Sequence, residues 1–151
     1  YIESIQSVHD KVNFGTLMHR LFSKIENPDE IDFVIHEMVF AGLISEEEMP
    51  EIKTKVSEVL KNPVVAAWFS AEYEAITEAG ILTKAGATRI PDRIIIKDNK
   101  ATVIDFKFGK PEPEHTLQVL EYMQLTRELG YESVSGILYY AETDSVVEVH
   151  D

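Results

Sequence analysis

The stretch that decides the fold runs from Pro91 to Lys107 and has the sequence Pro-Asp-Arg-Ile-Ile-Ile-Lys-Asp-Asn-Lys-Ala-Thr-Val-Ile-Asp-Phe-Lys. Three β-branched isoleucines at 94–96 precede a polar turn at 98–100, and a second apolar run extends from Ala101 to Phe108. Two such runs joined by a short polar turn are typical of an antiparallel β-hairpin. We therefore expect a pair of strands here.

Charged side chains interrupt these otherwise apolar strands at Asp92, Asp105 and Lys107. Because side chains alternate along a strand, Asp105 and Lys107 share one face, while positions 104, 106 and 108 take the other, more apolar face. Buried charge is costly unless it is paired or bound to a metal. Oxygen ligands beside a lysine suit a Mg²⁺ site for phosphate chemistry. On spacing alone, a surface salt bridge explains the same pattern, so both interpretations stay open.

Apolar residues before the hairpin follow a helical period, and those after it predict one helix between strands. The predicted helices cover residues 14–26, 28–41, 45–60, 63–69 and 114–129. Asn13 is the expected N-cap of the first helix, and Ser45–Glu48 is the expected capping box of the third. The core positions predicted for the last helix include Leu117. The predicted strands cover residues 71–78, 81–82, 88–97, 101–108, 134–141 and 146–149. A strand, a helix and a further strand favour a parallel crossover. We predict one α/β domain with a helical N-terminal part.

Length and composition exclude several classes of protein. The 151 residues suffice for one domain, and no apolar run is long enough to cross a membrane. The absence of cysteine excludes disulfides, zinc-thiolate sites and an iron–sulfur cluster, and it fits an intracellular, cytoplasmic protein.

The net charge of −13 argues against strong non-specific binding of nucleic acid by this domain alone. A nucleic-acid substrate remains compatible, since a neighbouring domain can supply a basic channel. The first residue is Tyr1, not Met, so we expect a piece of a longer chain.

Hydrolysis of a phosphodiester needs a metal that neutralises charge on the phosphate and lowers the pKa of a bound water. Asp92 and Asp105 can hold such a metal, and the backbone carbonyl of Phe106 lies beside Asp105 in the sequence. Lys107 can position or deprotonate the attacking water, or stabilise developing negative charge.

Five stretches, in family order, resemble the motifs of one nuclease family. Pro91-Asp92 and, after the hairpin, Asp105-Phe106-Lys107 resemble the signature of the PD-(D/E)XK nuclease superfamily. Gly15–His19 resembles the Gly-x-x-x-His motif of its RecB-like branch, and Gln118–Tyr122 resembles the Gln-x-x-x-Tyr motif of that branch. Thr77–Leu82 is similar to the stretch with an acidic residue ahead of the hairpin. Together the motifs cover residues 13–140.

The runs Ile104–Gly109 and Gln118–Met123 are similar to the C-terminal nuclease domains of UvrD/Rep-type helicases of the RecB and AddA kind. This resemblance implies a restriction-endonuclease-like mixed β-sheet flanked by helices, forming a single nuclease domain over residues 1–151. It implies a Mg²⁺-dependent deoxyribonuclease, with Mn²⁺ as a substitute, and exonuclease action in ATP-dependent helicase–nuclease repair or recombination. The implied partners are DNA, helicase domains of the same chain and a partner subunit. Relatives of the AddB-like and CRISPR-associated branches carry cluster-binding cysteines, from which this chain departs.

The resemblance also implies roles for individual residues. It assigns the metal to His19, Asp92, Asp105 and the carbonyl of Phe106. It makes Lys107 the catalytic lysine. It implies that Gln118 and Tyr122 order the site or contact the DNA backbone. It makes Glu78 an auxiliary acid near the metal.

Two other functions fit the sequence. The chain could be a non-catalytic module that binds DNA or a protein and retains the nuclease fold, against which the intact Asp-x-Lys pair argues. It could also be a metal-dependent hydrolase of a small phosphate ester, which needs a deep pocket where a nuclease needs an open groove.

Arg89 and Arg93 flank Asp92 in the sequence. They either neutralise the site, bind DNA phosphate or form structural pairs with other residues.

Overall fold

The hairpin and the crossover are parts of one five-stranded mixed sheet, which a computed structural model describes over residues 14–77 and 90–151. The elements in chain order are α1 (residues 14–24), a 3-10 turn (Pro28–Glu30), α2 (Ile31–Phe40), α3 (Met49–Leu60), α4 (Pro63–Ala67), β1 (Glu74–Thr77), β2 (Arg93–Lys97), β3 (Lys100–Lys107), α5 (Pro113–Glu128), β4 (Ser133–Tyr140) and β5 (Ser145–Val149). The strands lie side by side in the order in which they follow one another along the chain. The predicted α/β fold with a helical N-terminal part is confirmed.

Side chains that satisfy free backbone N–H groups fix where the helices begin. Ser45 and Glu48 form the reciprocal hydrogen bonds of the predicted capping box over 3.2 Å, but these close a turn ahead of α3, which begins at Met49 instead of at residue 45. Asn62 accepts a hydrogen bond from Val64 N over 3.0 Å at the start of α4. After α2 and α5 the chain turns through Gly42 and Gly130, whose φ angles of 75° and 95° favour glycine.

The hairpin pairs β2 with β3 in antiparallel register, from Arg93 opposite Ile104 to Lys97 opposite Lys100. Asp98 and Asn99 have φ angles of 52° and 62°, a backbone geometry that Asp and Asn tolerate and that two-residue hairpin turns require. The turn is therefore one residue shorter than predicted, and β3 begins at Lys100.

The connection from β3 through α5 to β4 makes these two strands parallel, as predicted, and aligns Lys107 with Tyr140. At Gly136 the helix lies so close to the sheet that a Cβ would stand 2.5 Å from Met123 Sδ and 2.7 Å from Val119 Cγ1. β5 then pairs antiparallel with β4.

Each face of the sheet carries its own hydrophobic cluster, and β3 contributes to both. The cluster under the N-terminal helices contains Ile104 and Phe106, and the cluster under α5 contains Val103. The predicted alternation of side chains along β3 is confirmed. Asp105 and Lys107 therefore lie on the α5 face of the sheet.

Some boundaries and one core assignment were wrong. α1 is helical to residue 24 instead of 26, α4 ends at Ala67, and the strand predicted over 71–78 begins only at Glu74. Leu117 is 65% exposed, so it is not a core residue. The predictions for Asn13, Glu78, residues 81–82 and Arg89 fall outside the described residues. Within 14–77 and 90–151, no helix is long and apolar enough to cross a membrane.

Candidate active site

The predicted site residues meet where β3 ends and α5 begins. Asp105 and Lys107 are among the last three residues of β3, and Asp92 immediately precedes β2. His19 comes from α1 and Gln118 from the second turn of α5. The hairpin thus supplies the floor of the site, and helices from the two ends of the chain supply its edges.

Lys107 connects the sheet to α5. Its Nζ lies 2.7 Å from Asp105 Oδ2 and donates a hydrogen bond to Gln118 Oε1 over 2.8 Å. Only 14% of the Lys107 side chain is exposed, and Asp105 is 4% exposed. Two acceptors hold the ammonium group where it is largely shielded from solvent, and charge-assisted hydrogen bonds are strong in such surroundings.

Asp92 connects the hairpin to α1. Its Oδ2 accepts a hydrogen bond from Phe106 N over 2.8 Å and lies 3.0 Å from His19 Nδ1. When Nδ1 donates this hydrogen bond, the lone pair of the imidazole is on Nε2. Gly15 and His19 occupy one face of α1 and pack on Phe108, whose ring centroid is 5.2 Å from that of His19.

The surroundings of Asp105 disfavour the charge of its carboxylate. Burial and the negative charge of Asp92 raise the pKa of Asp105 to about 6, although the Lys107 ammonium acts in the opposite direction. A cation bound beside Asp105 would favour the ionised carboxylate and so act against this rise in pKa.

A comparison with protein families places the chain in one of them. The model of the PD-(D/E)XK nuclease superfamily matches residues 2–148, which is nearly the whole chain. The chain belongs to this superfamily. Membership of the superfamily suggests metal-dependent nuclease activity, because PD-(D/E)XK nucleases generally use divalent metal ions such as Mg²⁺. No protein among the curated sequences matches the chain.

The donor set fits the metal that the superfamily uses. Asp92 and Asp105 offer carboxylate oxygens, the ligands that Mg²⁺ prefers, and His19 offers Nε2. In the described residues, no group of three or more acidic, histidine or cysteine side chains is arranged to hold a metal ion. Instead, Asp105 points to Lys107, and His19 points to Asp92. The chemistry of the side chains therefore fits a divalent cation, while their present contacts are with one another.

The structure brings together six of the predicted site residues: His19, Asp92, Asp105, Phe106, Lys107 and Gln118. Tyr122 lies one turn beyond Gln118 and is buried in the cluster under α5. Its position suits the predicted task of ordering the site better than contact with DNA. Glu78 belongs to residues that the structure does not describe. The roles assigned to all these residues stay predictions.

His115 and Tyr140 border the site, although the sequence did not single them out for it. His115 Nδ1 accepts a hydrogen bond from Glu112 N over 3.2 Å at the start of α5 and lies 3.1 Å from the Tyr140 hydroxyl. Burial lowers the pKa of His115, and the positive charge of Lys107 lowers it further. Tyr140 neighbours Lys107 in the parallel register, a relation that only the alignment of β3 with β4 could have revealed.

Arg93 has a structural role, so the alternative that it binds DNA phosphate was wrong. It is 1% exposed, and its guanidinium donates hydrogen bonds to the carbonyls of Trp68 over 3.1 Å, of Glu26 over 2.6 Å, and of Ile25. Burial lowers the pKa of Arg93 to about 10, so the group stays charged at neutral pH.

Proposed function

We propose that this chain hydrolyses phosphodiester bonds of DNA with the help of Mg²⁺, for which Mn²⁺ can substitute. The observation that carries the proposal is the position of Lys107 Nζ, 2.7 Å from Asp105 Oδ2 beside a second, partly buried carboxylate, in a chain of the PD-(D/E)XK superfamily. Two acids on one sheet can bind a metal ion, and a lysine beside them can stabilise the negative charge that develops on a phosphate during hydrolysis.

The metal would be held by Asp92, Asp105, His19 Nε2 and the carbonyl of Phe106. When bound, it supplies a Lewis acid for the phosphate oxygens and lowers the pKa of a coordinated water. Phe106 N fixes the orientation of Asp92 by donating to Oδ2, so the other carboxylate oxygen is directed by a rigid strand. The backbone thus helps to hold the acid in place.

Lys107 is the catalytic lysine in this proposal. Its ammonium would position the attacking water or stabilise the negative charge that develops on the phosphate. Gln118 Oε1 accepts one hydrogen bond from Nζ and so limits the orientations of the lysine. Tyr122 supports this part of α5 from the buried side, and Glu78 would be an auxiliary acid.

A polymeric substrate is favoured over a small phosphate ester. The side chain of His19 is 36% exposed, so the site is open to solvent on the side of α1. An open site accepts a phosphate that remains part of a long strand.

The biological setting that we propose is exonuclease action within an ATP-dependent helicase–nuclease for DNA repair or recombination in the cytoplasm. Residues 1–151 would form its single nuclease domain, and helicase domains of the same chain or a partner subunit would deliver the strand. The net charge of −13 supports such partners, because phosphate neutralisation dominates affinity for DNA.

The test is a digest of end-labelled single- and double-stranded DNA with Mg²⁺, with Mn²⁺ and with chelator. Lys107→Ala should lower the cleavage rate by about 10²-fold or more, because an ammonium aimed at developing charge is lost. Lys110→Ala is the matched control, since Lys110 is exposed and only three residues away. It should cleave like the wild type.

Equal cleavage by Lys107→Ala and the wild type would refute the proposed role of the lysine. A wild type that neither binds Mn²⁺ in a calorimetric titration nor cleaves DNA would instead indicate the non-catalytic module, which has no need of a specific metal site.

A further inference from the structure

The buried guanidinium of Arg93 lies between the sheet and the end of α1. Its three hydrogen-bond acceptors are the carbonyls of Trp68, Ile25 and Glu26, and its Cζ lies 4.2 Å from the centre of the Phe69 ring. Ile25 and Glu26 directly follow α1, where helix geometry leaves carbonyl groups without partners. A cation in this place also complements the negative end of the helix.

Arg93 is the chain neighbour of Asp92, which contacts α1 at a second point. Asp92 Oδ2 lies 3.0 Å from His19 Nδ1, and His19 is on the same helix that Arg93 holds at its end. Two adjacent residues of the hairpin therefore contact α1 at two points, one at the site and one at the helix terminus. A helix held at two points cannot easily rotate or slide relative to the sheet.

We propose that Arg93 is a positioning residue of the site: by fixing the end of α1 to β2, it keeps the His19 imidazole on Asp92. This inference rests on the proposed function in one respect, since the metal is the reason that the orientation of His19 matters. The contact itself exists in the metal-free chain and can be measured there.

The first measurement is an NMR spectrum of the histidine rings in the metal-free chain. Arg93→Lys keeps the charge but loses the planar fork that reaches three carbonyls. We expect the His19 ring resonances to move away from their wild-type positions in this variant. Val56→Ala is the control, because it opens a cavity in the same hydrophobic cluster and leaves Arg93 and its three acceptor residues unsubstituted. It should lower Tm and leave the His19 resonances in place.

The second measurement is a calorimetric titration with Mn²⁺ alone. Loss of a residue that orients a ligand typically costs about tenfold or more in metal affinity. We therefore expect Kd for Mn²⁺ to rise about tenfold in Arg93→Lys and to stay unchanged in Val56→Ala.

A second variant carries the test if Arg93→Lys does not fold. Phe69→Leu keeps the arginine and removes the ring that lies against its guanidinium. It should shift the His19 resonances in the same direction by a smaller amount.

Wild-type His19 resonances in Arg93→Lys, or in Phe69→Leu when only that variant folds, would overturn the positioning role. Shifts of equal size in Val56→Ala would also overturn it, since any loss of stability would then suffice. If the wild type neither binds Mn²⁺ nor cleaves DNA, the proposed function fails, while the metal-free spectra still decide the role of Arg93.

Discussion

Replacing Asp105 by asparagine is expected to stabilise the metal-free chain at neutral pH, although it removes a residue that we propose holds the metal. Burial and the charge of Asp92 raise the pKa of Asp105 from 3.8 to about 6, so the folded chain disfavours the ionised form. Asparagine imitates the protonated acid, because its amide can donate to Asp92 while its oxygen accepts from Lys107. The variant therefore keeps the contacts and removes the unfavourable charge.

The magnitude follows from the pKa. The difference between 3.8 and about 6 corresponds to about 3 kcal/mol of unfolding free energy above pH 6. For a chain of this length, about 3 kcal/mol raises Tm by about 6–12 °C. Between pH 4 and pH 6 the folded wild type binds the proton more tightly than the unfolded chain. The stability of the wild type therefore falls as pH rises through this window, and the gap to Asp105→Asn grows from almost nothing to its full size.

Thermal unfolding in chelator at pH 4, 5, 6 and 7.5 measures this gap. Asp98→Asn is the matched control, since Asp98 is an exposed acid in the turn of the same hairpin, and its effect should stay within about 0.5 kcal/mol. Added Mn²⁺ should raise Tm of the wild type and not that of Asp105→Asn, because only the wild type would bind it tightly. A gap that is the same at pH 4 and pH 7.5, or a variant less stable than the wild type at pH 7.5, would refute the reasoning.

Two further changes test the packing around the site. Gln118→Ala removes one of the two acceptors of Lys107 Nζ and should lower kcat about tenfold with little change in KM, whereas Gln124→Ala, at an exposed position of α5, should leave both constants unchanged. Gly136→Ala places a Cβ 2.5 Å from Met123 Sδ and 2.7 Å from Val119 Cγ1, so α5 must shift and urea unfolding should reveal a loss of about 1–3 kcal/mol. An unchanged urea midpoint would mean that α5 moves freely on the sheet.

Local patterns predicted the sheet well because each depends on near neighbours in the chain. Alternation along β3 placed Asp105 and Lys107 on one face, and the strand–helix–strand order implied the parallel pair. The error at Leu117 came from treating apolar character as sufficient. The buried positions of α5 are Val119, Tyr122, Met123 and Thr126. Their spacing defines the stripe that faces the sheet, and Leu117 lies outside it.

The residue pattern alone did not predict direct contacts between distant elements, although the family resemblance placed His19 and Asp92 at one metal. His19 and Asp92 are 73 positions apart, and their 3.0 Å contact depends on how α1 lies on the sheet. Stacked rings fix that orientation, with the centroids of Phe22 and Phe106 4.9 Å apart. A single sequence contains the aromatic residues but not the angle at which they stack. The proximity of Tyr140 to Lys107 was not predicted either, because it depends on the register of β3 against β4.

A buried acid with a raised pKa persists on β3 because its neighbours hold the strand from both sides. Ile104 and Phe106 are completely buried in the cluster under the N-terminal helices, while Val103 is equally buried under α5. Moving Asp105 away from Asp92 would require the strand to leave two hydrophobic clusters at once, and each buried aliphatic or aromatic side chain contributes about 1.5–3 kcal/mol. That sum exceeds the cost of about 3 kcal/mol for the charged carboxylate. The core therefore keeps two carboxyl groups together, and carboxylate oxygens are the ligands that a hard divalent cation such as Mg²⁺ prefers.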